Sequence, residues 1–568
     1  MAPSADRAVR DLADDHVRRL AALDPLLAGQ LGWTEGQDEL PDLSPDGIAA
    51  GDALGRETLD RLAALGTPTD PDERRCARLL AERIGAQLAH SEAGEPLRAV
   101  QELFGPVAGV RMAFTLMPTD GEDDWALVAG RTAAVPDALE GYRRSLEEGR
   151  RRGLFAAPRQ VARVVEQIGS WIDDDDGRGW FAAFSRDADV SPIVRAELDR
   201  GAAVATEALV GLRDWLAGDY LPATEGTPDG VGPERYRVAA RYWNGADIDA
   251  DEVYAWGWSE FRRLRDEMAV EAGRVLPGAG VREAMAHLDS DGGTTGVVVG
   301  GEAARAQLQQ VMDDTVAALD GTHFDLSGPI RAVEARLAPV GSAAAPYYTP
   351  PSMDFTRPGR TWLPATPDDR YPMWNLFSTW YHEGVPGHHL QLASWALRSG
   401  ELSLFQTSAA GMVSADAEGW ALYAERLMDE LGYHEDPGSR LGYLDAQMLR
   451  AVRVVIDLGM HLKLRIPDDS PVGAGERWTP ELGREFFGRH VGRGDAFADS
   501  ELLRYLGGPG QAISYKLGER AWLAGREQAR AAGPGFDLRV WHAAALAQGT
   551  LGLDDLVAEL AALPARGD

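Results

Sequence analysis

YHEGVPGHHLQ, residues 381–391, sets a His-Glu pair six residues ahead of a His-His pair, with Pro386 and Gly387 between them. Three of the chain's 11 histidines fall within residues 382–389. On a regular helix, position i+6 points roughly 120° away from position i, and i+7 returns to the same face about 10.5 Å along the axis. An unbroken helix therefore cannot bring His382 and His388 to one ion. Pro386 has no N–H for the carbonyl of His382, and its ring pushes that carbonyl aside. Gly387 tolerates the dihedrals that follow. The pair predicts a wide loop inside a helical run. Such a loop places His388 where the second histidine of an HExxH zinc helix falls, two residues later than usual.

A third ligand should be a carboxylate on a neighbouring helix. SADAEGWALYAERLMDEL, residues 414–431, has helical spacing, and Glu418 lies 30 residues after His388. Gly419 beside it leaves room for another backbone. Glu425, two turns later on the same face, is the candidate supporting partner.

The rest of the chain suits a large helical protein. Its 568 residues are 45% hydrophobic and carry a formal net charge of −32. That charge argues against nucleic acid and anionic membrane as partners. Cys76 is the only cysteine, so an internal disulfide and a CxxC metal site are excluded. No apolar run reaches the ~18 residues of a membrane span. The N-terminus lacks a basic start followed by an apolar stretch. The expected location is cytoplasmic.

Apolar residues at three- and four-residue spacing predict helices over 8–31, 137–154, 195–218, 249–276, 302–319 and 554–563. SPDG at 44 and TPEL at 479 read as helix starts, with Pro as the first helical residue. Strand signals are few. TGVVVGG near 295 is a short β-branched run, and residues 343–365, rich in Pro and aromatics, read as extended edge strands with turns. Stretches at 172–179 and 223–235 read as surface turns. The expected organisation is one domain over 1–568, with a mostly helical N-terminal lobe to 340 and a metal-binding lobe from 341.

HEGVPGHHLQ with downstream EGWALYAE resembles the DUF885 family of bacterial proteins, which is similar to the helical gluzincin peptidases. YYTPPSMDFTRPG, RAVRVVIDLGMHL at 450–462 and PGQAISYKLGERA at 509–521 extend the resemblance over nearly the whole chain. The TWLPA that follows RPG departs from the family pattern. The resemblance implies a mainly α fold with two lobes around a deep cleft and a small β element at the metal. It implies zinc (Zn2+) as cofactor, His382, His388 and Glu418 as ligands, and Glu383 as general base. It favours His388 over His389 as second ligand, leaving His389 to support the site or face the substrate.

Further candidates come from the motifs. Arg453, Asp457 and His461 form one helix stripe. Asp457 could orient His461 towards an oxyanion, or all three could be a buried ion network. Tyr515 is the candidate oxyanion partner, with Gln511 nearby. Lys516 or Arg520 could hold a substrate carboxylate, or be ordinary surface charge, a reading that fits Arg520 better. Tyr347 and Tyr348 should face opposite sides of an edge strand, one lining the site, and Arg357 could bind a carboxylate there. The expected function is a zinc-dependent hydrolase cleaving peptide or small amide bonds in short substrates. The alternative is a zinc enzyme of specialised metabolism, performing elimination, C–N cleavage or hydrolysis on a small non-peptide substrate. A non-catalytic binding protein would predict a lost base or ligand, and Glu383, both histidines and Glu418 are present.

Overall fold

The helices begin where their caps dictate. Ser44 Oγ accepts from Asp46 N and Gly47 N at 3.2 and 3.3 Å, and Pro45 opens the helix Pro45–Leu65. Thr479 caps Pro480–His490 through Leu482 N in the same way. These side chains satisfy amides that have no partner inside the first helical turn. The expected helix over 8–31 is two, Ala8–Leu23 and Pro25–Gln30. Asp24 separates them and caps the second through Leu26 N.

The computed structural model describes residues 7–115, 117–173, 179–338, 345–533 and 535–564. Most of the expected turn at 172–179, and residues 343–344 of the expected extended stretch, lie outside them. The described chain is mainly helical, and it falls into two compact units. Contact density places their boundary near residue 240, whereas the sequence grouping placed it near 340.

The first unit comprises residues 1–239 with short returns at 408–410 and 503–509. Its core lies between the long helices Glu122–Arg151 and Pro192–Trp215, with Val135, Leu139, Tyr142, Leu198, Ala205 and Leu209 buried. Cys76 is buried in the helix Pro71–Glu92, as a small apolar side chain.

The second unit holds all the motif residues. Ala250–Val275 packs along Pro437–Leu462, and Ser414–Glu430 packs along Ser514–Ala531. The latter pair meets at glycines. A Cβ on Gly419 would sit 2.4 Å from the Gly518 backbone, and one on Gly518 would sit 1.8 Å from the carbonyl oxygen of Ala415. The expectation that Gly419 admits another backbone beside Glu418 is met by the helix carrying Tyr515.

Five short strands are described, all before the helices that carry the histidine motif. β1 (Val297–Val299) pairs antiparallel with β5 (Arg370–Pro372). β2 (Val333–Leu337) runs parallel to β4 (Gly359–Leu363), which pairs antiparallel with β3 (Tyr347–Thr349). The glycine-flanked VVV and the Pro-rich stretch are thus both extended. Tyr347 stacks on Trp362 at 5.8 Å while Tyr348 turns to the other face, so Trp362 of the divergent TWLPA holds the sheet's edge. β5 leads through a single 3-10 turn into the helix Leu376–Glu383. Among the described residues, no helix is long and apolar enough to cross a membrane.

The Gly419–Gly518 contact leaves no volume for a methyl group. Gly518→Ala is expected to cost about 1–3 kcal/mol and to lower the thermal midpoint, read by calorimetry. An unchanged midpoint would show that the two helices part at no cost.

Candidate metal centre

The helix Leu376–Glu383 stops one residue after His382, and a second helix, His388–Leu397, starts at the next histidine of the motif. The four residues between form the predicted loop, with a cis peptide between Val385 and Pro386. Gly384 N still donates to Trp380 O at 2.9 Å, but Gly387 N reaches back to Tyr381 O at 3.0 Å. Gly387 has to be glycine here, because a Cβ would lie 2.0 Å from the carbonyl oxygen of His382. Trp420 Nε1 donates to the carbonyls of Pro386 and Gly387 at 2.9 and 3.1 Å. On the other side Met312 Sδ accepts from Val385 N at 3.2 Å. The loop is held from two sides, and one of its clamps sits two residues after Glu418.

The loop brings the ligands together. One ligand atom from each of His382, His388 and Glu418 can be chosen so that all three lie within 4.8 Å of one another. Glu418 Oε2 is 3.4 Å from His382 Nε2 and 3.5 Å from His388 Nε2. Ligands about 2.0–2.1 Å from a tetrahedral zinc stand about 3.3–3.4 Å apart, so these separations match two edges of such a site. The imidazole rings are 4.8 Å apart and nearly perpendicular, at 84°.

The donors also fit a cation chemically. Among the described residues, His388 Nδ1 and Glu418 Oε2 are buried without a hydrogen-bond partner, which is costly unless something else satisfies them. Burial opposes charge on His382, yet the neighbouring carboxylates of Glu418 and Glu425 outweigh it and push its pKa up to about 9. Burial would raise Glu418, but the two imidazoles hold it well below the usual carboxylate range. The pocket therefore stabilises positive charge. A set of two His and one Glu with a position left open suits zinc best among common divalent ions.

His382 is oriented from behind. Its Nδ1–H donates to Glu425 Oε1 at 2.7 Å, which leaves Nε2 for the ion. Glu425 is fully buried, accepts from Ser378 Oγ, and lies 3.7 Å from Arg450 Nη2. Burial pushes its carboxyl up, but Arg450, His382 and Ser378 reverse that and keep it ionised. Sequence reasoning named Glu425 but missed Ser378 and Arg450. Ser378 stands four residues before His382 on the same helix face, and that spacing was the available signal.

Glu383 follows His382 at the end of its helix, and burial raises its carboxyl pKa above the ordinary value. His389 is turned away from the ligands. Its Nε2–H donates to Ile330 O at 2.7 Å and its Nδ1 accepts from Tyr348 Oη at 2.9 Å, the tautomer following from the carbonyl's being an acceptor only. Neither nitrogen has a lone pair left, and burial pushes the ring down to about 4. His389 and Tyr348 instead tie the strand layer to the helix His388–Leu397.

Tyr515 does reach the site. Its ring lies 6.4 Å from that of His382, at 20° to it, under the guanidiniums of Arg453 and Arg450 at 4.5 and 5.8 Å. Arg453 pairs with Glu501 at 2.7 Å. Asp457 accepts from Gly510 N at 3.1 Å, and His461 Nε2 stands 3.8 Å from Asp457 Oδ1, beyond hydrogen-bond range. The stripe is buried as expected, but it runs along its helix, so His461 lies about 12 Å of axial rise beyond Arg453. Gln511 is buried in the turn before Ser514–Ala531.

Two candidates for holding a substrate carboxylate are already occupied. Lys516 Nζ is buried and donates to Glu260, Gln447 and Glu519 at 3.0, 2.6 and 2.6 Å. Arg520 is exposed, pairs with Glu252 through two bonds and covers the Trp256 ring. Arg357 sits half-buried in the connection from β3 to β4.

Glu425 acts through His382. Glu425→Gln is expected to weaken zinc binding by about 10–100-fold, read by competition with a chromogenic chelator. An affinity equal to wild type would remove Glu425 from the site.

Comparison with known proteins supports the fold over the whole chain. A structure described as a candidate lipoprotein from Colwellia psychrerythraea superposes with a TM-score of 0.84 at 21% identity, covering 98% of this chain and 99% of that one. A candidate lipoprotein of unknown function from Shewanella oneidensis gives 0.71 at 17% identity, with 98% and 99% covered. No curated protein matches the sequence. The family model of bacterial proteins of unknown function, DUF885, matches residues 25–560, and the chain belongs to that family.

Proposed function

We propose that this protein is a zinc-dependent hydrolase of peptide or small amide bonds. The observation that carries the reading is the convergence of His382, His388 and Glu418 on a helix end that also carries the half-buried Glu383. A divalent ion held by the three side chains would supply Lewis acidity, polarising a carbonyl and acidifying water. Glu383 then takes the proton from the attacking water as its oxygen adds to the scissile carbonyl carbon. A raised pKa makes Glu383 a stronger base than an exposed carboxylate, and once protonated a proton donor for the leaving amine. The C–N bond breaks as that proton arrives, giving an acid and an amine.

The other residues hold these groups in place. Glu425 keeps His382 in the tautomer that presents Nε2. Tyr515, beside His382 and under two arginines, is the group set to donate to the carbonyl oxygen as negative charge develops.

Glu383→Gln keeps the shape of the site but removes the base. The variant is expected to retain wild-type zinc content by elemental analysis and to lose about 100- to 10,000-fold in kcat on any peptide the wild type cleaves. Zinc missing from the wild-type protein, or full activity in the Glu383→Gln variant, would refute the assignment.

A further inference from the structure

We propose that the second compact unit holds a binding site for a small phosphate-type oxyanion, formed by Arg265, Arg282, Arg489 and His490 and sharing no residue with the candidate metal centre. The four side chains line one cavity of about 70 Å3, over an apolar floor that includes Met285 and Met448. They arrive from three helices: Arg265 from Ala250–Val275, Arg282 from Val281–Ser290, and Arg489 and His490 from the last turn of Pro480–His490. Pockets for drug-sized ligands run to about 300–1,000 Å3, so this one suits a single small group. The whole chain carries a net charge of −32, yet here three guanidiniums surround one small space. Like charges so placed repel unless an anion sits among them.

Two of the arginines are held in place without being neutralised. Arg489 Nη1 donates to the carbonyl oxygen of Pro471 at 2.7 Å, and Arg282 Nη2 donates to that of Gly488. Gly488 O is among the last carbonyls of Pro480–His490, which have no partner inside the helix. Arg282 thus caps that helix end, but a carbonyl has no net charge and leaves the guanidinium positive. Among the described residues no carboxylate pairs with Arg282 or Arg489. Arg265 does pair, with the exposed Asp266 beside it at 2.8 Å. Asp469, within range of the Arg265 charge, is bound by Arg262 through two bonds at 2.8 and 2.7 Å. A guanidinium has five N–H donors, so each of the three keeps several for an anion. His490 Nε2 is buried and has no hydrogen-bond partner among the described residues. Its ring is set against Phe261 and Phe486, with centroids 4.8 and 4.7 Å away. Burial, and then the charges of Arg489, Arg265 and Arg282, push its pKa down to about 4. All three arginines therefore act on one imidazole, which stays neutral near pH 7 and can present Nε2–H to an acceptor. Arg282 is also the second residue of its helix, whose N-terminal amides carry partial positive charge. Guanidinium forks from three directions match a tetrahedral, multiply charged oxyanion better than a planar monoanion.

The test is calorimetric titration of the full chain with inorganic phosphate at low ionic strength. The neutral chelator 1,10-phenanthroline is present, so that no divalent ion adds a second phosphate site. One site is expected, with a Kd at or below about 1 mM. All three arginines are exposed, so Arg489→Ala and Arg265→Ala should keep the wild-type thermal midpoint while each weakens phosphate about 10–100-fold. Arg489→Lys should recover part of the loss. Methyl phosphate and acetate are the comparison probes. Methyl phosphate binding as tightly as the free ion identifies a phosphate ester as the source of the anion, and a preference for inorganic phosphate identifies the free ion. No binding to wild type up to about 10 mM, acetate binding as tightly as phosphate, or an affinity unchanged in either alanine variant would overturn the proposal.

Discussion

The indole N–H of Trp420, shared between the carbonyls of Pro386 and Gly387, is the contact on which the candidate metal site depends. It joins residues 33 and 34 positions apart in sequence: the loop that aligns His382 with His388, and the helix that carries Glu418. Pro386 frees the chain from the helical path, and Gly387 lets it return close over the His382 carbonyl. Gly384 O and Gly387 O also accept from His389 N and Gln391 N at 3.1 and 3.2 Å, and Trp420 is the outside donor to Pro386 O. Trp420 supplies that donor from the element whose position matters most. The Gly419–Gly518 contact beside it draws in the helix of Tyr515 by the same economy of volume.

Charge organises what packing brings together. Glu418 and Glu425 flank His382 from its two nitrogens, and Glu383 follows it in sequence. Three carboxylates in a buried pocket repel one another and lose hydration, so they need compensating positive charge. Arg450 provides part of it, beside Glu425. The rest is what a divalent ion would contribute, and the unpartnered nitrogen of His388 and oxygen of Glu418 mark the place. Glu383 is the member that burial leaves hardest to ionise, which separates its chemistry from that of Glu418.

The small strands serve this centre more than they serve the core. β3 and β4 reach the helix His388–Leu397 through the Tyr348–His389 bond, and they carry Arg357 with them. His389 illustrates how adjacent identical residues diverge. His388 faces Glu418 from the first turn of its helix, and one residue on, about 100° round, His389 is spent on a carbonyl and a phenol.

Much of this was legible in the residues themselves. Helical class follows from apolar spacing, helix starts from Ser44 and Thr479, and the donor set from the HE and GHH pairs with a Glu-bearing helix downstream. These are local properties, set by backbone sterics and by what a helix does to residues three, four or seven apart. What each charged side chain meets across the fold is not local, and the tertiary structure alone decided it. For Lys516 and Arg520 the sequence leaves a substrate carboxylate and surface charge both open, and the fold pairs them with Glu260 and Glu252, more than 250 residues earlier. Arg453, Asp457 and His461 share a face, yet about two helical turns separate the first from the last, and neighbours from other elements choose the partner of each. The sequence by itself determined a helical protein with a set of metal-type donors in one broken helix and its neighbour. Only folding settled which charges are satisfied, since pairing depends on distances between segments that no spacing rule encodes.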